Sequence, residues 1–294
     1  MIELLQSYPA LLLGLAFILG LIVGSFLNVV ILRLPVMLKR DWRKQCLEYL
    51  QPANPQVLPS EAQGPFSLNY PRSHCPHCLA RLRVIDTIPL LSYLWLRGRC
   101  AHCQGPIRIR YAGVETLSAL LSLVVVWKFG ATLTTLAFLF LTWGLLALTF
   151  IDFDEQLLPD IITLPLMWLG VVLALTHVIP LSVEESIWGT VAGYLSLWLL
   201  FQLFRLITGK EGMGYGDFKL LALLGAWLGW KMLPLIVILS SFVGAVVGIM
   251  LVLAKKHDRS KPIPFGPYLA AAGWVCLIWG PELVRIYFPY FEKP

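Results

Sequence analysis

The sequence predicts an all-α polytopic membrane protein of about eight transmembrane helices, with one small polar insertion after the first. Three observations carry that prediction. The chain has 294 residues, 58% of them hydrophobic and only 14% charged, too little charge to cover a soluble surface. Several apolar runs reach about 20 residues, the length of a bilayer crossing. The 23 Lys and Arg residues are gathered into a few segments instead of being spread along the chain.

The first apolar run, Pro9 to Leu32, has only Glu3 before it and Arg33, Lys39, Arg40, Arg43 and Lys44 after it. A secretory signal peptide would show a basic start, a shorter apolar stretch and a small-residue cleavage site. The run therefore reads as a retained helix with its N-terminus outside. Seven further runs fall at Val114–Trp127, Ala131–Phe150, Ile161–Ile179, Ile187–Leu206, Phe218–Trp230, Leu233–Ala254 and Tyr268–Tyr287. The sixth of the eight, Phe218–Trp230, is short for a crossing.

If all eight cross, segments 33–110, 205–219 and 255–261 share one side and hold 12, 3 and 4 of the 23 basic residues. That asymmetry is the positive-inside pattern, and it puts the three segments in the cytoplasm. A re-entrant sixth run would move Lys255, Lys256, Arg259 and Lys261 to the other side, so eight crossings fit better. The net charge of +6 thus reports topology. It also suits a 33–110 loop seated on anionic membrane lipid. No basic–aromatic pattern calls for nucleic acid.

Three domains follow: residues 1–33 as the first transmembrane helix, 34–110 as a cytoplasmic loop domain, and 111–294 as membrane-embedded helices. The first half of the insertion, with Pro52, Asn54, Pro55, Pro59 and Gly64, reads as loop. The second half carries cysteines. Cys75-Pro-His-Cys78 and Cys100-Ala-His-Cys103 are two C-x-x-C knuckles with 21 residues between Cys78 and Cys100. A two-residue gap lets one tight turn supply two ligands of a tetrahedral zinc ion, and this spacing is that of a zinc ribbon. Disulfides are disfavoured on the reducing side of the membrane, and a redox motif needs a single C-x-x-C in a βαβ setting. Cys75, Cys78, Cys100 and Cys103 are the predicted metal ligands. Four thiolates leave no position for water, so the zinc is structural. Of the other two cysteines, Cys276 reads as a small core residue.

Two acids stand at helix ends on the same side. The third run ends in Ile151-Asp152-Phe-Asp154-Glu155, and the fifth returns to that side before Gly214-Tyr-Gly216-Asp217. Two close carboxyls share a proton, so one can act as base toward water and the other as acid toward a scissile carbonyl. Gly214 and Gly216 would let a neighbouring backbone approach Asp217. Other readings compete: Asp160, before an apolar run, as an N-cap; Asp217 as the N-cap of the short run; Asp154 and Glu155 as solvated charges; Glu211 paired with Lys210 or Lys219.

These residues resemble the type IV prepilin peptidase family of GxGD aspartyl proteases along nearly the whole chain. Gly-Tyr-Gly-Asp217-Phe-Lys resembles the GxGD motif, and Ile151-Asp152-Phe-Asp154 with Leu158-Pro-Asp160 resembles the first aspartate motif. Gly24-Ser-Phe-Leu-Asn28-Val-Val with Arg33-Leu-Pro35 resembles the first-span signature. The paired knuckles resemble the zinc-binding subset, and Pro264-Phe-Gly-Pro-Tyr268 the last motif block. The resemblance implies a multi-pass enzyme of the bacterial inner membrane with two activities. It would cleave the basic leader of type IV prepilins or type II secretion pseudopilins after a glycine. It would then methylate the new N-terminal residue with S-adenosylmethionine. Asp152 and Asp217 take the catalytic positions. Gly98, just before the second knuckle, is the candidate for methyl transfer.

Topology adds a geometry to that picture. A prepilin's apolar helix could dock from the lipid while its charged leader stays in the cytoplasm, which brings the junction to acids at the membrane edge. Asp154, Glu155, Asp160 and Glu211 are the candidate contacts for a basic leader. A zinc module that only docks a partner would need the cysteines and not the aspartates. A transporter would hold its acids near mid-membrane, with internal repeats that are not seen here. Presenilin-type proteases keep their aspartates deeper and lack the cysteine loop.

Overall fold

The computed structural model describes residues 8–50, 66–83, 85–210, 212–253 and 264–287, all-α apart from two isolated β-bridges. The long helices are α1 (Pro9–Leu50) and, after a one-turn helix α2 (Leu91–Trp95), α3 (Arg110–Phe129), α4 (Leu133–Glu155) and α5 (Asp160–Leu175). They continue with α6 (Val183–Thr208), α7 (Tyr215–Leu228), α8 (Leu233–Leu253) and α9 (Gly266–Tyr287). Each of the eight apolar runs is thus a helix. Six are long and apolar enough to cross a membrane, while α5 has 16 residues and α7 only 14. The basic segment 255–261 lies outside the described residues.

The chain divides into two compact units, one of Pro9–Val124 and the other of Val125 onward. In the first, α1 does not stop where its apolar run does. Its 42 residues make about 63 Å of helix, roughly twice the thickness of a hydrocarbon core, so the part after Arg33 projects beyond the bilayer. Pro35 lies inside it. Residues 34–50 are therefore helix, not the loop expected for the first half of the insertion; the proline-rich remainder falls outside the described residues. The projecting part carries its own loop. Arg33 donates to the carbonyls of Ser67, Leu68 and Pro71 at 3.0, 3.1 and 2.6 Å, and the Arg40 guanidinium lies 4.4 Å from the centre of the Phe66 ring. Deeper down, α1 and α3 approach backbone to backbone. A Cβ on Gly20 would stand 2.6 Å from Ala119 Cα, and one on Gly24 would stand 2.7 Å from Glu115 Cα.

In the second unit α7 is the centre. Leu220, Leu221, Leu223 and Leu224 are fully buried, which is why this helix is apolar all round. Its first turn is clamped to α6 by an aromatic cluster, with Phe201, Tyr215 and Phe218 ring centres 5.5–5.6 Å apart. Its last turn is tied to α5 by Trp227, whose indole N–H donates to Leu166 O at 2.8 Å. Between these points α6 and α7 touch through main chain. A Cβ on Gly225 would stand 2.1 Å from Gly189 O, and one on Gly193 would stand 2.6 Å from Leu221 O. Gly225→Ala is accordingly expected to destabilise the unit by about 1–3 kcal/mol, the usual effect of overpacking, read as a lower melting temperature in detergent. On the other flank α9 meets α4, where Trp274 donates to Thr142 Oγ1 at 3.2 Å.

Candidate active site and thiol cluster

Asp152 sits one turn before the end of α4. The helix ends at Gln156, which adopts a left-handed φ of 51° and returns its N–H to Asp152 O at 3.0 Å. Asp217 sits in the first turn of α7, behind the N-cap Gly214 and between the ring-bearing Tyr215 and Phe218. Both carboxylic acids are buried, 6% and 7% exposed. Oδ2 of Asp152 makes no hydrogen bond to any described residue. A buried carboxyl oxygen left in that condition is rare in structural positions, where the group would be satisfied.

Two glycine-bearing turns embrace the acids. One carries Gly214, the N-cap of α7, and the other Gly266, at the start of α9. A Cβ on Gly266 would stand 2.6 Å from Asp152 Oδ2, so any larger residue there would displace that carboxyl. Gly216 is also required by space, because a Cβ would stand 2.8 Å from Leu158 Cβ. Gly214 has room around it and a φ of −81°. Within the chain, what approaches Gly216 is the side chain of Leu158, which also faces Gly266, where a Cβ would stand 3.2 Å from its Cδ1.

The remaining acids take different places. Asp160 is the first residue of α5 and not its N-cap, which is Pro159. Its two carboxylate oxygens each accept from Lys219 Nζ at 2.7 Å, a bond that ties the start of α5 to the first turn of α7. Asp154 and Glu155 are exposed in the last turn of α4. Glu211 lies outside the described residues. The sequence missed Gly266 as a site residue, although its block, a glycine between Phe265 and Pro267 opening an apolar run, was visible.

The four knuckle cysteines come together, all four Sγ atoms lying within 4.8 Å of one another. The Cys75 and Cys103 sulfurs are 3.8 Å apart. That is about the edge, roughly 3.8 Å, of a tetrahedron of sulfurs at the usual Zn–S distance. Each knuckle is the same turn built twice. His77 N–H points to Cys75 Sγ and His102 N–H to Cys100 Sγ, both at 3.4 Å, and the bridges His74–Arg81 and Arg99–Pro106 close the two loops. Backbone N–H groups of Cys78 and His77 pull the Cys75 thiol down to about 6, toward the thiolate that a metal takes. The cluster fits a tetrahedral metal ion and could hold one. Gly98 turns the chain into the second knuckle with φ 70°, and its Cβ would meet Tyr93 Oη at 2.9 Å.

Comparison with known proteins agrees with this architecture. Residues 18–129 match the family described as Bacterial Peptidase A24 N-terminal domain, and residues 139–249 match the Type IV leader peptidase family. The chain is 52% identical over 291 residues to a prepilin leader peptidase/N-methyltransferase of Aeromonas hydrophila, covering 99% of each. It is 51% identical to the protein of that name in Stutzerimonas stutzeri, covering 98% of each chain. With the one in Pseudomonas aeruginosa the identity is 48%, over 99% of this chain and 98% of that one. No solved structure matches the chain. Fold and matches together define a polytopic membrane peptidase. The chain belongs to the type IV leader peptidase family.

Proposed function

We propose that this protein cleaves the leader peptide from prepilins, and from type II secretion pseudopilins, with Asp152 and Asp217 as its catalytic pair. It then methylates the new N-terminus with S-adenosylmethionine as donor. The observation that supports the pair most is the burial of both carboxyls, with one Asp152 oxygen unpartnered among the described residues. One acid takes a proton from water while the other gives one to the scissile carbonyl, and both roles need groups that face each other away from bulk solvent. Proteolysis belongs to the helices of 111–294, and residues 1–33 and 34–110 form the first span and the loop domain.

The loop holds a structural zinc through Cys75, Cys78, Cys100 and Cys103. Zinc would supply cross-linking of the two knuckles and no open coordination position. The protein resides in the bacterial inner membrane with the loop and both acids on the cytoplasmic side, as the distribution of basic residues supports. Asp154 and Glu155, exposed at the end of α4, attract the basic leader. Neutralising Asp154 and Glu155 together is expected to raise KM for a prepilin several-fold at low salt while kcat holds, with the difference fading at high salt. An unchanged KM at low salt removes them from leader binding.

Purified protein incubated with a prepilin and methyl-labelled S-adenosylmethionine tests the whole reading. A shortened product whose new N-terminus carries the label is expected. Intact prepilin at the end of the incubation would refute the reading.

A further inference from the structure

The loop domain exposes an apolar face that its thiol cluster does not explain. On α2, Leu91, Leu94 and Trp95 lie at i, i+3 and i+4, on one side of the turn, and are 63%, 62% and 84% exposed. Ile88, just before them, is exposed as well, and Arg97 and Arg99 follow directly, both exposed. In water, three large apolar side chains pointing outward from one short helix would be a liability.

Their height in the structure explains them. The backbone N–H of Leu90 donates to Glu115 Oε2 at 2.8 Å. Glu115 is buried in α3, five residues past its first residue Arg110, or about 7.5 Å along the helix axis. It is flanked there by Gly24 of α1, and α1 is held at the same level by Asn28, whose amide donates to Tyr111 O at 3.0 Å. Both α1 and α3 are membrane-crossing helices by length and composition. A segment fastened to the second turn of such a helix cannot stand out in the cytoplasm. It lies at the depth where headgroups meet acyl chains.

We propose that α2 is an interfacial wedge. Leu91, Leu94 and Trp95 enter the boundary between headgroups and acyl chains, and Arg97 and Arg99 meet the phosphates of anionic phospholipid. Tryptophan and arginine are the residues that such a boundary favours, the ring for its amphipathic body and the guanidinium for the negative surface. The wedge and the Glu115–Leu90 bond would hold the thiol-bearing loop at a fixed height over the membrane. The inference rests on α1 and α3 crossing the bilayer and is independent of which residues cut.

The test is photocrosslinking of the full-length protein in nanodiscs, with p-benzoylphenylalanine replacing Leu91 or Trp95 in separate variants. The same probe at Phe140, 58% exposed on α4, serves as the positive control for lipid contact. Phospholipid adducts, identified by the mass of the attached lipid, are expected at both positions. Their yield should rise several-fold when phosphatidylcholine is replaced by a mixture rich in phosphatidylglycerol, and Arg97→Gln with Arg99→Gln should abolish that rise. Lipid adducts at Phe140 with none at 91 or 95 would overturn the wedge. So would adducts only with protein, whether an added prepilin or a second copy of the chain. A yield indifferent to headgroup charge would overturn the role of the arginines.

Discussion

Replacing Asp152 or Asp217 by Asn is expected to lower leader cleavage by roughly 10²- to 10⁴-fold, the contribution of a positioned acid or base. The double variant should fall no further, because members of one catalytic unit do not act additively. Asn is the right probe: both side chains are buried, and an isosteric amide keeps the packing against Gly214 and Gly266 that Ala would empty. Initial rates on a prepilin measure the effect, with thermal melting as the check on folding. Methylation of an already cleaved substrate should survive in both variants. Cleavage within tenfold of the parent in either one would take that residue out of the pair.

The second large effect is expected at the thiol cluster. One zinc per chain should be found by elemental analysis, and Cys75→Ser or Cys100→Ser should reduce it to none. In small zinc domains the metal contributes about 10 kcal/mol or more to folding, so each loss should unfold both knuckles. The measurement is amide hydrogen exchange. Cys75 N–H to Ala80 O and Cys100 N–H to Gly105 O, 3.0 and 2.8 Å in the folded loop, should lose protection together, while the helices from α4 onward keep theirs. A fully metallated serine variant, or knuckles that stay protected without metal, would contradict the structural role.

Much of this molecule was legible from sequence because its signals are local. Eight apolar runs became eight helices, and the short sixth run became the 14-residue α7. The two knuckles were legible because each is a turn of four residues and needs nothing distant. The end of α1 was not. Hydropathy marks where lipid stops, whereas a helix continues as long as its backbone is satisfied, and here it runs through Pro35 to Leu50. The surroundings of the acids were hidden for another reason. Gly216 and Gly266 are 50 residues apart and meet only through Leu158, which no periodicity singles out. Asp160 read as a cap because capping is a local rule; its partner Lys219 is 59 residues away. Glu115 gave no signal at all, since its task is to hold one backbone N–H from a separate segment.

Leu158 has a steric consequence. It is 8% exposed, and its side chain lies beside Gly216 of α7 and Gly266 of α9. A Cβ at either glycine would stand 2.8 Å or 3.2 Å from it, so these two helix starts can draw no nearer than one leucine allows. In that sense it works as a spacer: a single aliphatic group whose bulk sets the least separation of the two turns that flank the acids.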